Sequence, residues 1–315
     1  MLSEVCNSAE EALEYVEAIP AQQGKTMIDV PFEKRDVVRV GFIGVGGRGC
    51  ALLTELLAVE GAQVTALSDS SKEALSTAKE MVKKAGQPTP AIEIDWHKLC
   101  ERDDVDIIYI CTPWDLHVPM SVYAMECGKH AAVEVPAAVT LDGCWQLVNA
   151  SERTRKHCII LENCCYEWAE MLVLNLVRAG LFGTLTHAEA AYIHDLRSEL
   201  LSDKGEGLWR RIPHQKRNSN HYPTHGIGPI SWYMNIHRGD RFTRLVSMSS
   251  KPASLAEYRN SHLEPNDPRR NEIYKCGDMN LSLIQTELGR TVLLEHDVVS
   301  PRPYSRINLI QGSKG

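Results

Sequence analysis

From residue 37 onward the apolar positions follow two alternating rhythms. Residues 37–43, 63–68, 105–111, 131–135 and 158–162 are short runs rich in β-branched and other apolar side chains. That is the pattern of strands buried on both faces. Residues 47–60, 71–85, 116–127 and 141–156 place apolar side chains every three or four positions, as with Leu75, Ala78, Met81 and Val82 in the second of them. That is the period of a helix with one covered face. A shorter strand at 91–94 and a small helix near 95–101 interrupt the series. Strand–helix alternation of this kind predicts an α/β fold, a doubly wound parallel sheet with crossover helices on both faces.

After about residue 167 the rhythm changes. A helix over 168–179 ends at Gly180, and residues 184–194 alternate Leu185, His187, Glu189, Ala191 and Ile193 against Thr186, Ala188, Ala190, Tyr192 and His194. A polar stretch rich in Arg, His and Asn covers 197–225, with a charge-rich part, Lys204 to Lys216, expected to be solvated. A helix over 227–237 carries Ile227, Ile230, Trp232, Tyr233 and Ile236, and strands follow near 243–250, 277–287, 290–298 and 304–311. These elements predict an α+β domain with a mostly antiparallel sheet. The expected division is a domain over 37–165 and a second over 166–315. Residues 1–36, with a short amphipathic helix at 8–18, form an extension outside the core fold. The last strand runs into Gly312 and Gly315 with nothing after it. A sheet left there has an open edge, so the second domain is expected to be incomplete and the chain truncated.

Composition narrows the class. The chain has 315 residues, enough for two domains, with 43% apolar and 24% charged residues, as in ordinary globular proteins. A net charge of −7 argues against a general nucleic-acid surface. No apolar run approaches the ~20 residues of a membrane-spanning helix, and the start of the chain has neither a basic nor an apolar signal region. The ten cysteines include no C-x-x-C pair, so neither a zinc site nor a disulfide framework is signalled. They read as reduced thiols of a cytoplasmic protein. His214, His221 and His237 show no metal-ligand spacing.

The chemistry starts at Gly44-Val45-Gly46-Gly47-Arg48-Gly49, a G-x-G-x-x-G pattern between the first strand and the first helix. In that pattern the first glycine makes a tight turn, the second lets backbone approach a pyrophosphate, and the third lets helix pack on strand. Asp69 closes the second strand twenty residues after Gly49, where a carboxylate accepts from a ribose 2′-hydroxyl and repels a 2′-phosphate. That favours NAD over NADP; the competing role for Asp69 is a helix N-cap. Ligands of such sheets sit beyond the carboxyl ends of the strands. Asp69, Thr112 to His117, Glu134 and Asn163 to Tyr166 fall there.

Three of these features, the glycine-rich unit, Cys111-Thr112-Pro113 with His117 close behind, and Glu134-Val135-Pro136, resemble the glucose–fructose oxidoreductase / inositol dehydrogenase (Gfo/Idh/MocA) family. Ordinary sugar dehydrogenases of that family carry Glu-Lys-Pro where this chain has Glu134-Val135-Pro136, and a valine cannot move a proton. The departure is similar to one branch, glycoside hydrolase family 109, the NAD-dependent α-N-acetylgalactosaminidases. Further stretches resemble it too: Trp114-Asp115-Leu116-His117, Leu161-Glu162-Asn163-Cys164-Cys165-Tyr166, Trp209-Arg210 and Asn220-His221-Tyr222-Pro223-Thr224-His225-Gly226-Ile227-Gly228-Pro229.

The resemblance implies a cofactor shell of Gly44, Gly46, Gly47, Arg48, Gly49, Asp69, Trp114, Asp115, Leu116, His117, Glu134, Val135 and Asn163 around NAD. It places substrate contacts at Tyr192, Arg210, Tyr222, Pro223, Thr224, His225 and Tyr304. The implied reaction is redox-neutral hydrolysis by oxidation, elimination, water addition and reduction, one of the exceptions to the two-carboxylate rule for glycosidases. Tyr and His are plausible proton carriers, which makes Tyr222 and His225 the candidate catalytic residues, with Tyr166 and Tyr192 as alternates. Arg210 has a donor fork suited to sugar hydroxyls or an acetamido carbonyl. The expected partner is a small carbohydrate or glycan, with no nucleic acid and no membrane, and a homodimer is possible. Two other readings stay open: an NAD-dependent sugar or cyclitol dehydrogenase, and an inactive NAD-binding remnant.

Overall fold

The computed structural model describes residues 24–315; the helix expected at 8–18 lies outside the described residues. The chain divides into two compact units, the second beginning at Glu162.

The first unit holds a six-stranded parallel sheet, β1 (Val38–Ile43), β2 (Ala62–Ser68), β3 (Ala91–Glu93), β4 (Ile107–Ile110), β5 (His130–Val133) and β6 (Cys158–Ile160), in the order β3-β2-β1-β4-β5-β6. Period-two alternation sorts its side chains onto two faces. Val40 and Phe42 join Leu53, Val64, Leu67, Leu75 and Val82 on one side. Ile43, Ile108, Ile110 and Val133 meet Met120, Ala124 and Met125 on the other. Three helices begin on the side chains that the sequence offers as caps. Ser71 accepts from the Ala74 N–H, Asp95 from that of His97 and Thr140 from that of Gly143.

Residues 24–36, expected outside the fold, lie against this unit. Phe32 stacks on His157 with ring centroids 3.9 Å apart and meets His130 edge-on at 5.0 Å. Arg35 reaches Asp106 at 3.2 Å.

The second unit is built on a five-stranded sheet of β7 (Leu185–Ile193), β8 (Phe242–Ser249), β9 (Asn280–Thr286), β10 (Thr291–Asp297) and β11 (Leu309–Gly312), in the order β11-β7-β10-β9-β8. Only β7 and β10 run parallel; the other three neighbouring pairs are antiparallel. Helices Trp168–Arg178 and Thr224–Tyr233 supply Leu174, Ile230 and Tyr233 to a core with Ala188, Ala190, Ile284, Val292 and Leu294. On β8 and β9, Leu245, Val246, Met248, Leu281 and Leu283 remain exposed.

Several expected boundaries move, each for a local reason. The helix expected over 227–237 begins at Thr224, after Pro223 at its N-cap, and stops at Tyr233 because Asn235 and His237 turn into left-handed backbone, with φ of 55° and 62°. The strand expected over 304–311 shrinks to Leu309–Gly312, since Ile307 and Asn308 also take positive φ. A single bridge, Ile193 to Ser305, remains upstream. The polar stretch after β7 is not a solvated loop. It forms helices Arg197–Leu200 and Ile212–Lys216 with a 3₁₀ turn Gly205–Leu208 between them, and it buries Leu200, Leu201 and His214. Each piece is one turn long, too short to show a 3.6-residue period. Helix Ser254–His262 carries little apolar periodicity and has no counterpart among the expected elements.

Ile108, fully buried on the central strand β4, tests the first core. Ile108→Ala is expected to lower stability by about 2–5 kcal/mol. Met248→Ala, on a residue 72% exposed, is expected to stay within about 0.5 kcal/mol of the parent. Equilibrium urea unfolding of both variants is the check.

Candidate functional site

In the first unit the glycine turn is shaped by what will not fit. Gly44 sits at φ +88°, and an added Cβ would lie 2.5 Å from the Cys111 carbonyl oxygen. A Cβ on Gly49 would fall on the Gly44 carbonyl oxygen. The chain therefore turns sharply and helix Gly47–Leu57 starts hard against the end of β1. At Gly46 and Gly47 the situation is reversed: an added Cβ meets nothing within 4 Å. Gly46 is the N-cap, no side chain caps the helix, and its first turn holds no acid. Uncapped N–H groups with open space in front of them suit a diphosphate.

Asp69 braces this turn. One oxygen accepts from the Val45 N–H and the other from the Ser71 N–H, both at 2.8 Å. It is not the helix cap, a role that Ser71 takes. Arg48 donates through Nε to Glu134 at 2.6 Å, and the second Glu134 oxygen accepts from the Val135 N–H at 2.9 Å. Glu134 and Val135 are both buried.

His117, expected to face the cofactor, is instead committed to backbone. Its Nδ1 lies 2.7 Å from the Pro136 carbonyl and its Nε2 2.7 Å from that of Thr112, at 1% exposure. Burial holds its pKa below the ordinary value, against the pull of the two carbonyls. The ring acts as a strut between the ends of two strands. Trp114 is buried beside it, while Asp115 and Leu116 are exposed on the 3₁₀ turn Trp114–Leu116.

In the second unit the residues singled out from sequence gather around one imidazole. His225 lies on the first turn of helix Thr224–Tyr233. Its Nδ1 is 2.7 Å from Glu162 Oε1, which also accepts from the Cys164 N–H at 3.0 Å. Glu162 is 4% exposed, and burial alone would raise its pKa. The hydrogen bond from His225, with further hydrogen bonds from Thr224 and the Cys164 N–H, outweighs that and holds the carboxyl below its usual range. An ionised Glu162 makes Nδ1 the donor and leaves Nε2 as the acceptor.

Two tyrosines frame this ring. Tyr222 meets it edge-on at 4.8 Å and Tyr192 at 5.2 Å, with 4.9 Å between the two phenol rings. Arg210 lies over the Tyr222 ring, 5.1 Å from its centroid. It pairs with Glu206 and stands 3.8 Å from Glu199. Burial pushes the Tyr192 hydroxyl up in pKa, and Arg210 draws it back in part. Tyr304 approaches Tyr192 at 6.0 Å and remains half exposed.

Thr224 begins the helix and Pro223 caps it. Asn163 is exposed on the 3₁₀ turn Asn163–Cys165. Tyr166, an alternate base, is 66% exposed and packs edge-on against Trp232 rather than in this ring cluster.

Sequence reasoning did not assign two members of the cluster. Glu162 closes a strand at the end where ligands collect, and that was the available signal. His194 lies 5.1 Å edge-on from Tyr304, with its Nδ1 buried and without a hydrogen-bond partner. It follows Tyr192 by two positions, just past the end of β7, and the period-two row that holds Tyr192 and His194 was the available signal.

The strand order, the glycine turn and the braced aspartate define an NAD-binding Rossmann domain of the oxidoreductase type. Residues 38–161 match the oxidoreductase family with an NAD-binding Rossmann fold, and residues 166–315 match the glycosyl hydrolase 109 C-terminal domain. The chain belongs to glycosyl hydrolase family 109. It is 55% identical over 297 residues to a family 109 protein of Solibacter usitatus, covering 92% of this chain and 68% of that one. It is 49% identical over 310 residues to one of Streptomyces filamentosus, covering 96% and 63%. It thus spans about two thirds of the length of the curated relatives it matches.

Solved structures share the fold. An oxidoreductase domain protein from Kribbella flavida superposes with a TM-score of 0.71 at 22% identity, over 89% of this chain and 72% of that one. A scyllo-inositol dehydrogenase from Lactobacillus casei, solved with NAD(H) and scyllo-inositol, gives 0.67 at 16%, over 89% and 75%. NAD is the cofactor of this domain, and the open glycine turn fits it.

Gly46→Asp separates the fold from the ligand. An aspartate is a better N-cap than glycine by a few tenths of a kcal/mol, so the melting temperature is expected to hold or rise slightly. The added carboxylate would oppose the pyrophosphate, and NAD affinity, read by calorimetric titration, is expected to fall about 100-fold or more.

Proposed function

We propose that this chain is a glycosidase that removes terminal α-N-acetylgalactosamine by a redox-neutral, NAD-dependent route. The observation that carries the reading is the Glu162–His225 pair set among Tyr192, Tyr222 and Arg210. A proton-moving imidazole with a fixed tautomer suits elimination and water addition, and the buried Val135 brings no proton carrier to the place where the dehydrogenases of the superfamily keep a lysine.

Gly44, Gly46, Gly47 and the first turn of helix Gly47–Leu57 would hold the pyrophosphate, with Asp69 toward the adenosine ribose and Glu134 and Val135 toward the nicotinamide. Bound NAD supplies a reversible hydride acceptor for the sugar. The chain's own residues manage protons and orientation. His225 accepts a proton at Nε2 while the Glu162 carboxylate, accepting from Nδ1–H, stabilises the imidazolium that results, the logic of a carboxylate–imidazole pair. Tyr222 and Tyr192 offer hydroxyls beside that ring, and their faces suit the apolar side of a pyranose. Arg210, already aligned over Tyr222 and anchored by Glu206, brings a donor fork of the kind that suits sugar oxygens or an acetamido carbonyl. Pro223 and Thr224 shape the approach to His225, and Tyr304 adds a half-exposed wall.

The test is release of p-nitrophenol from its α-N-acetylgalactosaminide, with NADH absorbance followed in the same cuvette. The expected result is steady release without net NADH. His225→Ala and Glu162→Gln should each lower the rate on the order of 10²–10⁴-fold while NAD affinity is kept. NADH accumulating with a free sugar or cyclitol, and no p-nitrophenol, would replace the proposal with a dehydrogenase. Retained NAD binding with neither signal would overturn it in favour of a non-catalytic chain.

A further inference from the structure

The second unit contains a cluster that the proposed reaction does not use. His214, on helix Ile212–Lys216, His221, in the loop before the next helix, and Cys276, just before β9, place one potential ligand atom each within 4.8 Å of one another. Their exposures are 4%, 7% and 4%. The positions are seven and fifty-five residues apart in sequence, which is why no metal-ligand spacing shows. Backbone brings them together: the Lys275 and Cys276 N–H groups both donate to the His214 carbonyl, at 2.8 and 3.0 Å.

Two features set this cluster apart from ordinary packing. Both ring nitrogens of His221 are buried and neither meets a partner in ordinary hydrogen-bond geometry, the Arg217 backbone being the polar group beside them, a costly arrangement for an imidazole, which has both a donor and an acceptor to satisfy. Beside it His296, 6.1 Å ring to ring from His221, leaves its buried Nε2 without a partner as well.

We infer that His214, His221 and Cys276 form a binding site for a zinc-like divalent cation, with His296 next to the fourth position. Imidazole and thiolate are the donor types zinc takes. Ligand atoms around tetrahedral zinc lie about 3.3–3.8 Å apart, given bonds of about 2.0–2.3 Å. The cluster therefore has to tighten by little more than about 1 Å. Imidazole ligates in its neutral form, and the burial of all three rings disfavours a charge on them. The Cys276 thiol, pushed by burial up to about 11, would lose its proton to solvent as the metal–sulfur bond forms. Arg210 and Arg217 add positive charge to the surroundings and Asp278 adds negative charge.

The site is structural in its consequence. It would clamp the segment that carries Arg210 and Tyr222 to the start of β9, and His221 directly precedes Tyr222.

The test uses the full chain, stripped with a chelator and titrated with Co²⁺ alone, then Zn²⁺ alone. One equivalent of Co²⁺ should bind with a thiolate-to-cobalt charge-transfer band and tetrahedral d–d bands, and Zn²⁺ should displace it and raise the melting temperature. Cys276→Ser should abolish the charge-transfer band and weaken Zn²⁺ by more than about 100-fold. Cys144→Ser, at an exposed thiol, should change neither. A folded parent chain that shows no thiolate–cobalt band overturns the inference without recourse to any variant. A band that survives in folded Cys276→Ser overturns it as well.

Discussion

The first unit depends on a steric exclusion between two glycines. Helix Gly47–Leu57 begins so close to the end of β1 that no Cβ fits at Gly49 above the Gly44 carbonyl, and Gly44 itself must take a positive φ. Everything useful about the turn follows from that proximity. The helix axis is aimed at the sheet edge where β1, β2 and β4 end. Its first N–H groups are left without a side-chain cap because Gly46 and Gly47 have none to offer. Asp69 then finds the Val45 N–H at 2.8 Å and fixes the loop that the exclusion created. A side chain at either tight position would move the helix, and the open phosphate cradle would close.

The first unit was nearly all legible in the sequence, and the reason is physical. A parallel sheet covered on both faces needs continuous apolar strands, and its crossover helices need an apolar stripe. The helical stripes reach fourteen residues and the longer strands six or seven, long enough to read. The glycine pattern added the site, because its demands are backbone demands and only glycine meets them. His117, placed by its motif position in the cofactor shell, has both ring nitrogens 2.7 Å from backbone carbonyls, a contact that the motif alone did not announce.

The second unit was legible in outline only. Its strands alternate clearly, as β9 shows with every second residue buried, but what lies between them does not. The segment from Lys204 to Lys216 looked like a solvated charge run because it is rich in Arg and Lys. In the structure Arg211 is tied to Glu272 at 2.7 Å and Arg210 to Glu206. Charges paired in this way go under cover, and the Arg211–Glu272 pair, sixty-one positions apart, leaves no local trace. The same holds for Glu162 and His225, sixty-three positions apart.

The histidines of this unit show how neighbours, rather than residue type, assign a task. His225 faces an ionised carboxylate that is itself almost wholly buried. Removing Glu162 from water costs several kcal/mol, and that cost is offset only while a donor stays in place, so the pair constrains both partners: Glu162 stays ionised and His225 keeps its proton on Nδ1. His214, His221 and His296 have no carboxylate partner among their hydrogen bonds, and burial pushes each of them toward the neutral form. Tyr192 stands between the two sets, 5.2 Å from His225 and 6.3 Å from His296, ring to ring. A proton arriving at His225 therefore meets a compensating charge on one side and a group of uncharged rings on the other. Glu162 is the charge bonded to that imidazole, Arg210 with its partners Glu206 and Glu199 lies over the Tyr222 ring, and a cation bound among His214, His221 and Cys276 would add a further positive charge to this unit.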